Sequence, residues 1–149
     1  MNNKIILDSD IISSIFSRKK INSKVIMPFK SFADDTRNYV LHKLALGEEE
    51  KPSVLSFVNF NHWYLITNER LVWEINQKWN YLYYEMIDSV DINQEGLFRL
   101  GSSFKSQTQE IDIKTKSGES ILGDIGEAGA SVFALLSVIS WIVAKNKYS

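Results

Sequence analysis

The chain has 149 residues, of which 44% are hydrophobic and 23% are charged, and this length suits one domain with a sizeable core. The formal net charge of −1 argues against a general nucleic-acid binder. The absence of cysteine excludes disulfides, thiol catalysis and cysteine-ligated metals, and it fits a cytoplasmic protein. Charge is unevenly spread, because residues 1–30 have a net charge of +4 and the remainder has −5.

The N-terminal segment predicts a short amphipathic helix followed by the basic cluster Arg18, Lys19 and Lys20. An acidic residue, Asp8, lies where a signal peptide needs its apolar centre, so we expect no secretion signal. The three basic residues are candidate contacts for anionic lipid. The alternative is a helix that packs on the domain and leaves its basic end in solvent. We favour the alternative, because the segment is too short to bind a membrane strongly alone.

A second helix is predicted over residues 31–46, since Ser31 begins a capping-box pattern and apolar residues recur from Val40 to Leu46. Three adjacent glutamates follow at positions 48–50. Neighbouring side chains point in different directions in most backbones, so we expect a solvated loop here and not a metal site.

Residues 62–84 hold three of the four tryptophans and four of the six tyrosines. If Asn68 and Glu69 form a tight loop, Ile66 lies opposite Leu71, and each face of the hairpin collects alternate residues. One face then carries Tyr64, Ile66, Leu71, Trp73 and Ile75, and the other carries Trp63, Leu65, Thr67, Arg70, Val72 and Glu74. This sorting is typical of a half-buried antiparallel pair.

A third strand is expected after a three-residue loop at positions 76–78. That loop length would place Trp79, Tyr81 and Tyr83 on the same face as Ile75 and Trp73. A stacking platform for nucleic acid needs aromatic residues interleaved with basic residues, and this region contains few basic residues. We therefore expect the three aromatic side chains to lie in the core.

The other predicted strands cover residues 54–60, 89–93, 97–104, 110–116 and 120–125. A last helix is predicted over residues 127–147. It contains a run of 17 uncharged residues from Ala128 to Ala144, which is short of the about 20 that a membrane span needs. Its outer side is small and apolar, so either residues 1–46 or a second copy of the chain, in a homo-oligomer, should cover it.

The sequence presents no recognisable arrangement for chemistry. Its two histidines, His42 and His62, lack metal-ligand spacing, and no phosphate-binding loop or nucleophile elbow occurs. We therefore predict no catalytic, cofactor-binding or metal-binding residues and no enzymatic activity. An enzyme would need a pocket that combines His62 with Asp or Glu.

The run W-Y-L-I-T-N-E-R-L-V-W at residues 63–73 resembles the strand–turn–strand pattern of bacterial pleckstrin-homology-like (PH-like) domains. Residues 84–92 are similar to the acidic and hydrophobic segment that often follows in that family. The resemblance spans about residues 47–147. It implies an α+β fold, with a PH-like antiparallel barrel or sandwich of about seven strands capped by the C-terminal helix.

Residues 1–46 would then be a helical extension packed on the PH-like unit of residues 47–149. PH-like domains serve unrelated functions, so the resemblance leaves the ligand open. The loops at residues 59–62 and 68–70 carry only one basic residue, Arg70, which argues against the usual phosphoinositide pocket.

The leading functional expectation is a non-catalytic protein-binding module without a cofactor. One concrete version is a small bacterial immunity protein that captures a basic toxin with its slightly acidic body. Candidate partner contacts are Glu69, Arg70, Glu74 and Trp141. The alternative is a peripheral membrane adaptor that uses the basic N-terminal segment.

Overall fold

The computed structural model describes residues 7–92, 110–127 and 129–147, which form an α+β structure. Its helices are α1 (Ser9–Arg18), α2 (Asp34–Lys43) and α3 (Ala130–Lys147), and two short 3-10 helices cover Phe29–Ser31 and Tyr84–Met86. The strands are β1 (Ile26–Pro28), β2 (Pro52–Asn59), β3 (His62–Thr67), β4 (Arg70–Ile75), β5 (Lys78–Tyr83), β6 (Ile87–Ile92), β7 (Glu110–Thr115) and β8 (Ser120–Asp124).

The strands form two antiparallel sheets. Five strands make the first sheet, in the order β1-β2-β3-β4-β5, and three make the second, in the order β6-β7-β8. The α+β class is confirmed, but the described strands form two separate sheets and not a closed barrel. The strand predicted at residues 97–104 lies outside the described residues. Strand β1 was not predicted, because three residues carry too little alternation to reveal a strand.

The β3–β4 hairpin has the predicted register. Ile66 lies opposite Leu71, Tyr64 lies opposite Trp73, and His62 lies opposite Ile75. Alternating side chains identified this register correctly because a slip of one residue would have exchanged the two faces.

The β4–β5 register differs from the prediction. The loop contains only Asn76 and Gln77, so Lys78 pairs with Ile75 and Trp79 pairs with Glu74. The loss of one loop residue transfers every side chain of β5 to the opposite face. The predicted placement of the β5 aromatics beside Ile75 and Trp73 was therefore wrong.

Both faces of the first sheet are buried, whereas the sequence predicted one solvated face. One face contributes to a first core, which it shares with the second sheet, α1 and α3. Its side chains in this first core are Val54, Tyr64, Ile66, Leu71 and Trp73. The other face contributes Leu55, Trp63, Leu65 and Val72 to a second core, together with Phe29, Phe32, Val40 and Leu44. The segment around α2 thus covers the face that was expected to meet water.

Helix α3 packs one side into the first core, through residues such as Val132, Leu135, Ile139 and Ile142. Helix α1 contacts both α3 and β2, and it buries Ile12 and Phe16. The side chains of Phe133 and Trp141 are partly buried against the same core. None of the helices in the described ranges combines the length and the apolar character that a membrane crossing requires.

The Asn76-Gln77 loop places both residues in the left-handed backbone region, with φ of 54° and 68°. A two-residue hairpin of this kind strongly favours glycine at its second position. Replacing Gln77 with glycine should therefore raise the free energy of unfolding by about 0.5–1 kcal/mol, as measured by urea denaturation. The Gln77→Ala control should not gain stability, and an equal gain in both variants would contradict the assigned loop conformation.

Candidate protein-binding surface

An exposed row of aromatic rings lies along β5, formed by Trp79, Tyr81 and Tyr83. We call these three residues the aromatic edge. Trp79 is 49% exposed and Tyr81 is 46% exposed, while Tyr83 is partly buried. The rings follow one another closely, with centroids 6.4 Å apart between Trp79 and Tyr81 and 5.6 Å apart between Tyr81 and Tyr83. The prediction that these side chains lie in the core was wrong for Trp79 and Tyr81.

The aromatic edge is exposed because the cover of its face stops one strand short. The second core includes side chains of β2, β3 and β4, but among the described residues it includes none of β5. Tyr81 lies directly opposite Val72, which is fully buried in that core. The aromatic edge therefore lies beside the second core and is not covered by it.

Arg70 supports the aromatic edge from within the sheet. Its guanidinium lies 5.0 Å from the centre of the Tyr81 ring and 6.0 Å from that of the Tyr83 ring. These distances suit cation–π attraction. Arg70 is only 8% exposed, so the cation contacts the two rings while it is largely shielded from solvent.

A buried ion pair fixes Arg70. Its Nε donates to Oε2 of Glu50 at 2.8 Å, and its Nη2 donates to the carbonyl of Ala45 at 3.3 Å. The same Glu50 oxygen accepts a hydrogen bond from the Thr67 hydroxyl at 2.8 Å. The connector between α2 and β2, residues 44–51, is thereby attached to the β3–β4 turn.

The surroundings of Arg70 and Tyr84 raise the pKa of both groups. Burial opposes the charge of Arg70, but the hydrogen bond and the negative charge of Glu50 raise the pKa of Arg70 above its ordinary value. Burial, and then the charge of Glu50, raise the pKa of Tyr84 well above its ordinary value. The Tyr84 hydroxyl donates to the carbonyl of Thr67 at 2.8 Å. Arg70 therefore stays charged and Tyr84 stays neutral.

Asn68 joins three segments at the same turn. Its side-chain oxygen accepts from the backbone N–H of Lys51 at 2.8 Å. Its side-chain nitrogen donates to the carbonyls of Glu49 and Leu7, at 2.9 and 3.0 Å. Asn68, which belongs to the run with the PH-like resemblance, thus connects the N-terminal segment, the connector and the first sheet by hydrogen bonds.

The four predicted partner contacts are not equivalent in the structure. Arg70 is buried in its ion pair, and Glu74 is only 3% exposed and accepts a hydrogen bond from Nε1 of Trp63 at 3.1 Å. Glu69 and Trp141 are partly buried. The surface predicted from the sequence therefore lacks two of its four side chains, and the neighbouring aromatic edge presents the larger exposed area.

The candidate lipid contacts Arg18, Lys19 and Lys20 are all exposed, at and just after the end of α1. The apolar face of that helix is turned into the first core, where Ile12 and Phe16 are buried. The basic end is accessible, whereas most of the apolar surface that would enter a lipid layer is not.

His62 does not meet a carboxylate. Its Nε2 lies 2.5 Å from the backbone carbonyl of Asp124, whose own side chain accepts from the N–H of Gly126 at 2.8 Å. Within residues 7–92, 110–127 and 129–147, no group of three His, Asp or Glu side chains is arranged to hold a metal ion.

Two features of this region were not predicted from the sequence. Glu50 was expected in a solvated loop, yet it is buried. Its partner Arg70 lies 20 residues away along the chain, so no local pattern indicated the ion pair. The exposure of the aromatic edge depended on whether the β4–β5 loop contains two or three residues. Asn76 offers a weak signal for the shorter loop, since asparagine tolerates the left-handed conformation.

Comparison with known proteins finds no family model, no curated protein and no solved structure that matches this chain.

Removing the charge of Glu50 should destabilise the protein strongly. Glu50→Gln leaves the Arg70 cation buried without its counter-charge, which we expect to cost about 3 kcal/mol of unfolding free energy in urea denaturation. The neighbouring side chain of Glu49 is exposed, so Glu49→Gln should change stability by less than about 0.5 kcal/mol. Similar losses in the two variants would refute the role of the ion pair.

Proposed function

We propose that the chain is a non-catalytic protein-binding module and that it binds through the aromatic edge of β5. The observation that carries the proposal is the exposure of Trp79 and Tyr81 on strand β5. Aromatic side chains of this kind supply most of the binding energy at many protein interfaces. The contact of the Arg70 guanidinium with the Tyr81 ring restrains that ring before binding, which reduces the entropy lost when a partner binds.

We further propose that strands β2–β8 and α3 form a PH-like unit. Two features of the described residues support the proposal: β2–β5 and β6–β8 form two antiparallel meanders, and α3 follows β8. Both agree with what the resemblance of residues 63–73 implies. A PH-like scaffold is compatible with protein binding and does not specify the ligand.

An immunity protein that neutralises a toxin is one concrete form of this function. A single domain that binds a partner and carries out no chemistry of its own suits that role. The charge distribution suits a basic toxin, because the chain beyond residue 30 has a net charge of −5.

The proposal is tested by affinity capture from native lysate with the wild type and with Trp79→Ser/Tyr81→Ser. We expect a stoichiometric protein partner for the wild type and at least a tenfold weaker capture by the double variant, because two exposed aromatic contacts are lost. The matched control is Leu122→Ser, which removes a 55% exposed apolar side chain from the other sheet. Undiminished capture by the double variant, or equal loss in the control, would reject the aromatic edge as the binding surface.

The second candidate function is a peripheral membrane adaptor, and the exposure of Arg18, Lys19 and Lys20 favours it. Clustered cations at a helix end are attracted to anionic lipid, and the attraction weakens as salt is added. The buried apolar face of α1 limits this function to weak, electrostatic contact.

Sedimentation with vesicles tests the adaptor function. If it holds, the wild type binds phosphatidylserine vesicles at low salt, and replacement of Arg18, Lys19 and Lys20 by glutamate abolishes binding. The matched control places the same charge change on three exposed lysines elsewhere, namely Lys30, Lys114 and Lys116. No wild-type binding, or equal loss in the control, would exclude a specific contribution of the basic cluster.

A further inference from the structure

We infer that the partner of the aromatic edge is a second copy of this chain, which pairs its own β5 antiparallel to this β5 across a two-fold axis. The inference rests on the proposed function and deepens it by naming the occupant of the same surface. Two five-stranded sheets would then join into one continuous ten-stranded sheet.

Alternate residues of β5 point their backbone hydrogen-bonding groups away from β4. In a two-residue hairpin, the residues next to the loop form a hydrogen-bonded pair, here Ile75 and Lys78. Bonded and non-bonded positions then alternate, so Asn80 and Leu82 also bond to β4. Trp79 and Tyr81 therefore direct their N–H and C=O groups away from β4, toward the side of β5 on which the described residues place no further strand. The bond from the N–H of Tyr84 to the carbonyl of Glu69 agrees with this alternation.

The strand is complementary to itself in an antiparallel register centred on Asn80. In this register Trp79 lies opposite Tyr81 of the second copy, Asn80 opposite its counterpart, and Lys78 opposite Leu82. The outward groups of Trp79 and Tyr81 then form four backbone hydrogen bonds across the axis. The aromatic rings of the two copies share one face, where cross-strand aromatic pairs stabilise a sheet. The register uses only Lys78–Leu82.

The charges on β5 are compatible with a second copy of the chain. Lys78 is the only charged residue of β5, and it does not face its own counterpart in this register. The net charge of −1 leaves little repulsion between copies, and a net charge near zero promotes association.

Among the described strands, two of the other three sheet edges, β1 and β6, carry features that oppose such pairing. At the opposite edge of the first sheet, β1 has three residues and ends at Pro28. The edge strand β6 carries two aspartates and a bulge between Ile87 and Ser89. Shortness, proline, charge and bulges are the devices that block edge-to-edge association. Strand β5 has six residues, no proline and no bulge in its pairing with β4.

Cysteine cross-linking tests the register directly, because the chain has no native cysteine. At a non-hydrogen-bonded antiparallel pair the two Cα atoms are about 4.5 Å apart, which a disulfide can span. The Asn80→Cys variant, oxidised with glutathione disulfide at micromolar protein, should therefore give a covalent dimer on a non-reducing gel. The folded state of the variant is checked by circular dichroism.

Two matched controls accompany that variant. In the proposed register the two Lys78 positions are about 14 Å apart along the strands, so Lys78→Cys should not cross-link. Leu122→Cys places an exposed thiol on the other sheet and reports random collision. Equal cross-linking of all three variants would overturn the inference.

Solution mass provides the second measurement, by sedimentation equilibrium over a concentration series of the full chain. The wild type should be a dimer. Tyr81→Ala removes the ring but keeps the outward N–H, while Tyr81→Pro removes both, and proline is tolerated where an edge N–H faces outward. We expect dimerisation to be roughly tenfold weaker in Tyr81→Pro than in Tyr81→Ala, because two symmetry-related hydrogen bonds are lost.

The outcomes separate this inference from the proposed function. A monomeric wild type without Asn80→Cys cross-linking overturns self-pairing. If lysate capture of a different protein still depends on Trp79 and Tyr81, the proposed function survives and only the occupant changes. A dimer whose stability is unaffected by Tyr81→Pro would place the interface elsewhere and also overturn the inference.

Discussion

The buried ion pair between Arg70 and Glu50 is the interaction on which the arrangement of this molecule depends. It joins the connector before β2 to the β3–β4 turn, with the Thr67 hydroxyl bound to the same carboxylate oxygen. The connector leads back to α2, which covers one face of the first sheet. The position of that helical layer is therefore coupled to a charged pair whose separation would leave an uncompensated buried charge.

The same arginine links stability to the exposed surface. Its guanidinium is paired with Glu50 and also lies 5.0 and 6.0 Å from the ring centres of Tyr81 and Tyr83. Because the pKa of Arg70 is raised, the cation that holds the rings persists at any physiological pH. The exposed aromatic side chains of β5 are thus supported by an ion pair that solvent scarcely reaches.

The β3–β4 register could be predicted from the sequence because both faces alternate in an unbroken pattern. The β4–β5 register could not, since the choice between a two-residue and a three-residue loop decides which face Trp79 and Tyr81 occupy. The burial of Glu50 was equally hidden, because it depends on a partner 20 residues away. Local pattern predicted β2 to β5, whereas tertiary contacts decided which of their side chains remain exposed. The site therefore lay beyond what the sequence alone could specify.

The PH-like resemblance gains a physical explanation from these contacts. Thr67, Asn68 and Arg70 belong to the residues that carry it, and each of them is buried and hydrogen-bonded within the chain. The turn they form holds the N-terminal segment, the connector and the sheet together, which is a structural task independent of any ligand. A sequence pattern of this kind reports how a scaffold is held together. Function is then carried by other positions, and on this chain we propose the exposed aromatic side chains of β5 for that role.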